Sequence, residues 1–154
     1  MAKKILVYLD GSESAEKILP YAIEQALSFG GKLILLKVCS SVPLVTSASG
    51  SSPYLIITPI ASEMSARSQQ ELANLYLAKK ARELAEKGID VDVATIVGSF
   101  TDSIIRFIKE NAVDLVAMTT HAYKGWKRLL HSSAVDEILR ESFVPLLIIN
   151  STEE

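Results

Sequence analysis

The segment from Thr119 to Ser133 combines small residues with a cluster of cations just before a predicted helix. An apolar strand pattern, Val113 to Met118, leads into the segment, and a helical pattern, Ala134 to Arg140, follows it. The first backbone N–H groups of a helix are unpaired, and the helix dipole favours negative charge there. A strand, a loop of small residues and a helix start are therefore typical of a phosphate-binding site, and this loop adds Lys124, Lys127 and Arg128.

Asp10 and Ser133 each have two chemical roles open to them. Asp10 ends the apolar run Ile5 to Leu9, so its carboxylate can contact a ligand at the end of the strand. It can equally accept an Asx-type hydrogen bond that stabilises the turn at Gly11 and Ser12. Ser133 precedes the helix and is suited to capping it, with a phosphate contact as an additional role. The sequence leaves both roles open for Asp10.

The remaining residues that are able to do chemistry do not form a catalytic or metal-binding pattern. His121 and His131 have no cysteine or carboxylate at a ligand spacing, so we expect no zinc site. Ser132, His131 and Asp136 are the residue types of a catalytic triad, but the G-x-S-x-G nucleophile pattern is missing. We therefore expect a binding module rather than an enzyme with turnover.

Length and composition predict a single domain that spans residues 1–154. The chain has 154 residues, of which 49% are hydrophobic, and this is enough for a substantial core. The formal net charge of −2 gives no general attraction to nucleic acid or to an anionic membrane. One cysteine, Cys39, suits a reducing compartment, and no apolar run reaches membrane-spanning length. We expect a cytoplasmic protein with no nucleic-acid or membrane partner.

Apolar runs alternate with helical stripes along the chain, and this alternation predicts an α/β fold. The expected architecture is an open five-stranded parallel sheet with helices on both faces, Rossmann-like, with strand order 3-2-1-4-5. In such sheets ligands bind beyond the C-terminal strand ends, where the strand order reverses. The predicted strands are Ile5 to Leu9, Leu33 to Val38, Asp90 to Val97, Val113 to Met118 and Leu146 to Ile149.

Three local features qualify this pattern. Pro20 lies inside the stripe that follows Ser12 and is predicted to bend the first helix. Residues 39–61 are rich in Ser and Pro and are predicted to form a long variable loop. A long helix is predicted from about Ser62 to Lys87, and its expected inward residues are Leu72, Leu75, Tyr76, Leu77, Ala81, Leu84 and Ala85.

Over essentially its full length the chain resembles the universal stress protein family. Lys4 to Glu13 looks like the first strand and acidic turn of that family, and Leu35 to Val38 looks like its second strand. Ala112 to Met118 matches the approach to the family's nucleotide loop. No single piece is decisive, but their order and spacing are specific. The match is completed by Gly98 with Ile104-Ile105, Gly125, Arg128-Leu129-Leu130 and Val144 to Ile149.

The nucleotide loop of this chain departs from the family pattern. In nucleotide-binding members the loop reads G-x2-G-x9-G-[ST], and the same spacing here falls on Thr119, Ala122, Ser132 and Ser133. All three glycines are replaced, and the final hydroxyl is retained. Glycine lets the backbone approach a phosphate without a Cβ. Where a positive φ is needed, each replacement costs about 1–2 kcal/mol. Thr119 is β-branched and suits a strand end better than a left-handed turn.

The resemblance implies a set of ligand contacts. Asp10 and Val38 are expected to contact the adenosine part, with Tyr8, Leu9 and Met118 lining it. ATP, with Mg²⁺, is the cofactor that the resemblance suggests. The phosphates are expected to meet the backbone around Thr119, Ala122, Ser132, Ser133 and Ala134.

The resemblance also implies a stress-response role and a homodimer formed through the last strand, Pro145 to Ile149. Two functions then compete. In the first, the protein is a regulatory module that binds an adenine nucleotide. In the second, it has lost nucleotide binding and acts as a homodimeric protein-interaction module, which the three missing glycines favour. A slow nucleotide hydrolase, at most a weak ATPase, or another catalyst on the same fold is a third alternative, and no general base or metal constellation in the sequence supports it.

Overall fold

The computed structural model describes residues 3–39, 59–119 and 134–150. Within these ranges the sheet has five parallel strands in the order β3-β2-β1-β4-β5, which confirms the predicted fold class. The strands are β1 (Lys4–Tyr8), β2 (Lys32–Cys39), β3 (Val91–Val97), β4 (Leu115–Thr119) and β5 (Leu146–Ile149). The helices are α1 (Glu13–Glu16), α2 (Leu19–Phe29), α3 (Pro59–Glu86), α4 (Phe100–Asn111) and α5 (Ala134–Ser142).

Strand β1 is central because its side chains are apolar on both faces. Its residue Val7 is level with Leu35 on β2 and with Ala117 on β4, and all three are fully buried. A parallel strand covered on both faces is typically a continuous apolar run. Each fully buried Leu, Ile or Val contributes about 1.5–3 kcal/mol relative to an exposed one. Burial of the whole run therefore keeps β1 between its two neighbours.

Helices cover both faces of the sheet. On one face α3 packs against β2 and β3, where the Thr95 hydroxyl donates to Asn74 Oδ1 over 2.8 Å. On the other face the Tyr8 ring meets Phe100 of α4 edge-on, with 4.9 Å between ring centroids. None of the helices in the described ranges has the length and apolar content of a membrane-spanning segment.

The first helical stripe is broken, not bent as predicted. Helix α1 ends at Glu16, and α2 begins at Leu19 with Pro20 in its first turn. A continuous helix would need the Pro20 nitrogen to donate to the Glu16 carbonyl, and proline has no hydrogen there. In the first turn of α2 the missing N–H has no such cost. The chain turns at Lys17 and Ile18, whose N–H groups bond three residues back instead.

Helix α3 buries part of the predicted stripe, and Tyr76 and Ala81 of that stripe pack against the core. Leu77 and Leu84 are buried as expected, but Leu72, Leu75 and Ala85 are exposed. Ala73 is fully buried instead. The helix carries apolar residues on more than one face, and only one face can pack against β2 and β3.

The element boundaries differ from the sequence prediction by a few residues. Helix α3 begins at Pro59, so the loop predicted for residues 39–61 is shorter at both ends. Its remaining part, residues 40–58, lies outside the described residues. Strand β4 extends to Thr119, as the β-branched side chain of this residue led us to expect.

Gly31 lies at a close approach of two backbones. A Cβ at this position would be 2.6 Å from the carbonyl oxygen of Lys3, which also accepts the N–H of Lys32 over 2.8 Å. We expect Gly31→Ala to lower the free energy of unfolding by about 1–3 kcal/mol, because the backbone of β1 must shift. Urea unfolding followed by circular dichroism measures this loss. The control is Ser28→Ala on the exposed side of α2, where a change within about 0.5 kcal/mol is expected. Equal stability of the two variants would contradict the close approach.

Candidate functional site

The candidate site lies where the C-terminal ends of β1 and β4 meet. From β1 the chain builds β2 and β3 on one side, and it then returns to build β4 and β5 on the other side. The strand order therefore reverses between β1 and β4. Crevices at this kind of reversal are where open α/β sheets bind ligands. The turn after β1 and the segment after β4 both start at this crevice, as the sequence predicted.

Asp10 holds the turn that leaves β1. Its Oδ1 accepts hydrogen bonds from the Ser12 backbone N–H, over 2.8 Å, and from the Ser12 hydroxyl, over 2.6 Å. Ser12 Oγ in turn accepts the N–H of Ala15 over 3.1 Å and caps α1. Gly11 has φ of +96°, a conformation that a residue with a side chain rarely adopts. The Asx-type turn is therefore confirmed, and contact of Asp10 with a ribose or base stays a prediction.

Apolar core side chains lie beneath the strand ends at this edge of the sheet. Leu9 and Met118 are fully buried, and Tyr8 is nearly so. The backbone N–H of Leu9 donates to the Leu36 carbonyl over 3.0 Å, so the pairing of β1 with β2 continues past Tyr8. Val38, near the end of β2, is half-buried. Val38 was predicted to contact the adenosine part and the other three to line it, and the fold brings all four to the C-terminal ends of β1, β2 and β4.

Thr119 is an extended residue of β4 and pairs with Ile149 of β5. Its backbone therefore carries no left-handed strain, and the cost that we attached to replacing glycine does not arise at this position in this conformation. The side chain is fully buried, and its hydroxyl oxygen has no hydrogen-bond partner within the described ranges. A buried polar group without a partner usually costs about 1–3 kcal/mol.

Much of the predicted phosphate loop lies outside the described residues. Ala134 begins α5, so the expected helix start is present at the end of the loop. The predicted residues that lie outside the described ranges are Ala122, Ser132 and Ser133, and with them His121, Lys124, Trp126, Lys127, Arg128 and His131.

A polar cluster that the sequence did not predict ties α1 to α3. The Tyr76 hydroxyl donates to Glu16 Oε1 over 2.7 Å, and the Lys80 ammonium lies 3.1 Å from the same oxygen. Lys80 also donates to Glu83 over 3.3 Å. Glu16 and Tyr76 are 60 residues apart, so no local pattern signals this contact. By fixing α1, the cluster also fixes the position of the Asp10 turn.

The cluster raises the pKa of both of its proton donors. Burial and then the hydrogen bond to Glu16 raise the pKa of Tyr76 well above its ordinary value of 10.0. For Lys80, burial by itself lowers the pKa, but the hydrogen bonds and charges of Glu16 and Glu83 outweigh burial, so the pKa is raised overall. Both groups therefore keep their protons at neutral pH.

The described ranges contain no group of three or more His, Cys, Asp or Glu side chains placed to hold a metal ion. At the candidate site these ranges bring together a polar turn, held by Asp10, and the apolar ends of β1, β2 and β4. Such an arrangement can bind a molecule with a flat apolar part and polar hydroxyl groups.

Comparison with known proteins identifies the family. A model of the universal stress protein family matches residues 1–150, which is nearly the whole chain. The chain belongs to the universal stress protein family. This agrees with the resemblance seen in the sequence, and it makes the chain a stress-response protein of that family.

Individual relatives are distant. The chain is 27% identical over 144 residues to universal stress protein Slr1230 of Synechocystis, which covers 94% of the chain and 41% of that relative. The chain therefore spans less than half the length of this relative. A universal stress protein solved in complex with cAMP has a TM-score of 0.61 at 18% identity, with 98% of each chain covered. An Arabidopsis thaliana family protein solved with AMP bound has a TM-score of 0.62 at 14% identity, with 96% and 91% covered.

We expect Tyr76→Phe to change how stability depends on pH. An unfolded tyrosine loses its proton near pH 10.0, whereas folded Tyr76 retains it. The stabilisation from Tyr76 is therefore fully present below that pH and is lost as the pH rises above it. At neutral pH the variant should be less stable by about 1 kcal/mol, because the hydrogen bond to Glu16 is lost. Urea unfolding measured from about pH 9 to about pH 11 should show the difference in free energy of unfolding between the variant and the unaltered protein becoming smaller.

The control for this measurement is Tyr21→Phe, because Tyr21 is half exposed on α2. The free energy of unfolding of this variant at neutral pH should lie within about 0.5 kcal/mol of that of the unaltered protein. A gap for Tyr76→Phe that stays constant with pH would contradict the raised pKa.

Proposed function

We propose that this stress-response protein binds an adenine nucleotide in the crevice between the C-terminal ends of β1 and β4. The observation that carries the proposal is the pairing of β1 with both β2 and β4, because it brings the Asp10 turn and the end of β4 to one crevice. Two related structures, one with cAMP and one with AMP, support adenine nucleotides as the ligand class.

The described residues suit the nucleoside half of such a ligand. Leu9, Tyr8 and Met118 are apolar core residues beneath the strand ends, and half-buried Val38 is the apolar residue of β2 that we assign to the nucleoside. The Asp10 carboxylate uses Oδ1 for the turn, which leaves Oδ2 as the acceptor we assign to a ribose hydroxyl or base N–H. The phosphate half is assigned to the backbone around Thr119, Ala122, Ser132, Ser133 and Ala134.

Calorimetric titration with ATP and Mg²⁺ tests the proposal directly, and AMP and cAMP are titrated under the same conditions. We expect saturable heat with ATP at micromolar concentrations. No heat with any of the three ligands at hundreds of micromolar would overturn nucleotide binding and favour the interaction-module alternative.

Restoring glycine to the loop tests the role of the backbone. We expect Ala122→Gly with Ser132→Gly to tighten ATP binding by about tenfold, equivalent to about 1.4 kcal/mol, if backbone access limits affinity. Adding Thr119→Gly should increase the ATP affinity by a smaller factor, because Thr119 is already extended in β4. Ala85→Gly on the exposed side of α3 is the control and should leave the affinity unchanged.

The second part of the proposal is a homodimer formed through the last strand, Pro145 to Ile149. The same homodimer is expected in the alternative function, in which the protein acts as an interaction module without nucleotide. Strand β5 is an edge of the sheet, and its four residues are only half-buried. An edge strand presents unpaired backbone groups that a second copy can pair with. Beside it, Leu139 is 44% exposed and Phe143 is 89% exposed.

We expect Phe143→Asp to weaken this dimer by about tenfold, because an exposed aromatic anchor would be replaced by a charge. The left-handed φ of +55° at Phe143 is one that aspartate tolerates, so folding should be preserved. Sedimentation equilibrium over a concentration series measures the change. Phe29→Asp, at the end of α2, is the matched control and should not alter assembly. A monomeric unaltered protein at tens of micromolar would rule out the dimer.

A further inference from the structure

Lys37 reaches from β2 towards the turn that follows β1. On the sheet it is level with Thr95 of β3, and it therefore lies on the face that α3 covers. Its ammonium nitrogen is 3.6 Å from the position that a Cβ at Gly11 would occupy. The side chain thus ends beside the Asp10 turn, at the rim of the candidate crevice.

Within the described ranges no carboxylate lies at ion-pair distance from the Lys37 ammonium. Lys37 is half-buried, and within the described ranges its ammonium makes no hydrogen bond or ion pair. By contrast, Lys32 lies 2.7 Å from a carboxylate oxygen of Asp92, and Lys80 lies 3.1 Å from Glu16. The carboxylate next in the chain to Gly11, that of Asp10, uses Oδ1 to hold Ser12. A partly buried ammonium that makes no ion pair is available to an anion that binds beside it.

We infer that Lys37 binds a phosphate group of the nucleotide. This inference rests on the proposed function and deepens it, because it names the side chain that meets the anionic part of the ligand. Lysine binds phosphate as a compact point charge and needs no special backbone geometry to do so. A contact of this kind can offset the missing glycines, since it does not depend on backbone N–H groups approaching the ligand.

The test compares Lys37→Gln, Lys37→Arg and Lys87→Gln with the unaltered protein. Lys87 lies between α3 and the N-terminal end of β3, whereas the crevice is at the C-terminal strand ends. It is exposed, so its variant makes the same charge change away from the crevice. Each protein is titrated calorimetrically with ATP, adenosine and inorganic tripolyphosphate at two salt concentrations. Urea unfolding of each variant verifies that the fold is intact.

We expect Lys37→Gln to weaken ATP and tripolyphosphate binding by about tenfold and to leave adenosine binding unchanged. Lys37→Arg should retain most of the affinity, and Lys87→Gln all of it. The difference between the Lys37→Gln variant and the unaltered protein should shrink at high salt, because salt screens a charge at the rim of a crevice.

The remaining outcomes separate this inference from the proposed function. If the unaltered protein binds ATP and Lys37→Gln binds it equally well, the inference is wrong and the proposed function stands. If Lys37→Gln weakens adenosine as much as ATP, Lys37 contacts the nucleoside, and the phosphate assignment is wrong. If the unaltered protein binds tripolyphosphate through Lys37 but not ATP, the proposed function fails and the anion contact remains. If the unaltered protein binds neither ATP nor tripolyphosphate, both the inference and the proposed function are wrong.

Discussion

The candidate site depends on the parallel pairing of β1 with β2 on one side and β4 on the other. Leu6 and Val7 are fully buried in this pairing, and β1 is the strand that joins the two halves of the sheet. One half contains β2 and β3, and the other contains β4 and β5. Because all strands are parallel, the same pairing brings the exits of β1 and β4 to one edge. The hydrophobic burial that holds the core together therefore also creates the crevice.

The rim of the crevice depends on contacts made far from it in sequence. Helix α1 has four residues, too few to be stable alone in water. Ser12 caps its start, and Glu16 joins it to Tyr76 and Lys80 on α3. These contacts hold the Asp10 turn at a defined position above the sheet. A change in α3 can thus alter the β1 side of the crevice without touching any residue that we assign to the ligand.

The two ways of holding an anion that we propose for this site respond differently to substitution. Backbone N–H groups need close approach, and this is what the glycines of the family loop provide. Thr119 shows that at least the first of those positions is an extended strand residue in this chain. A lysine side chain acts over a longer distance and tolerates a bulkier loop, but salt weakens its effect. The position of Lys37 beside Gly11 is consistent with a shift from the first way to the second.

Local patterns in the sequence were sufficient to predict the parallel sheet and to offer the Asx-type turn at Asp10, because continuous apolar runs and turn residues act over a few positions. Tertiary structure alone decided which apolar stripe α3 buries, since only contact with β2 and β3 selects Ala73 over Leu72. It also decided the contact of Tyr76 with Glu16 and the approach of Lys37 to Gly11. These pairs join residues that are distant along the chain, and the periodicity of a single segment contains no information about its partner.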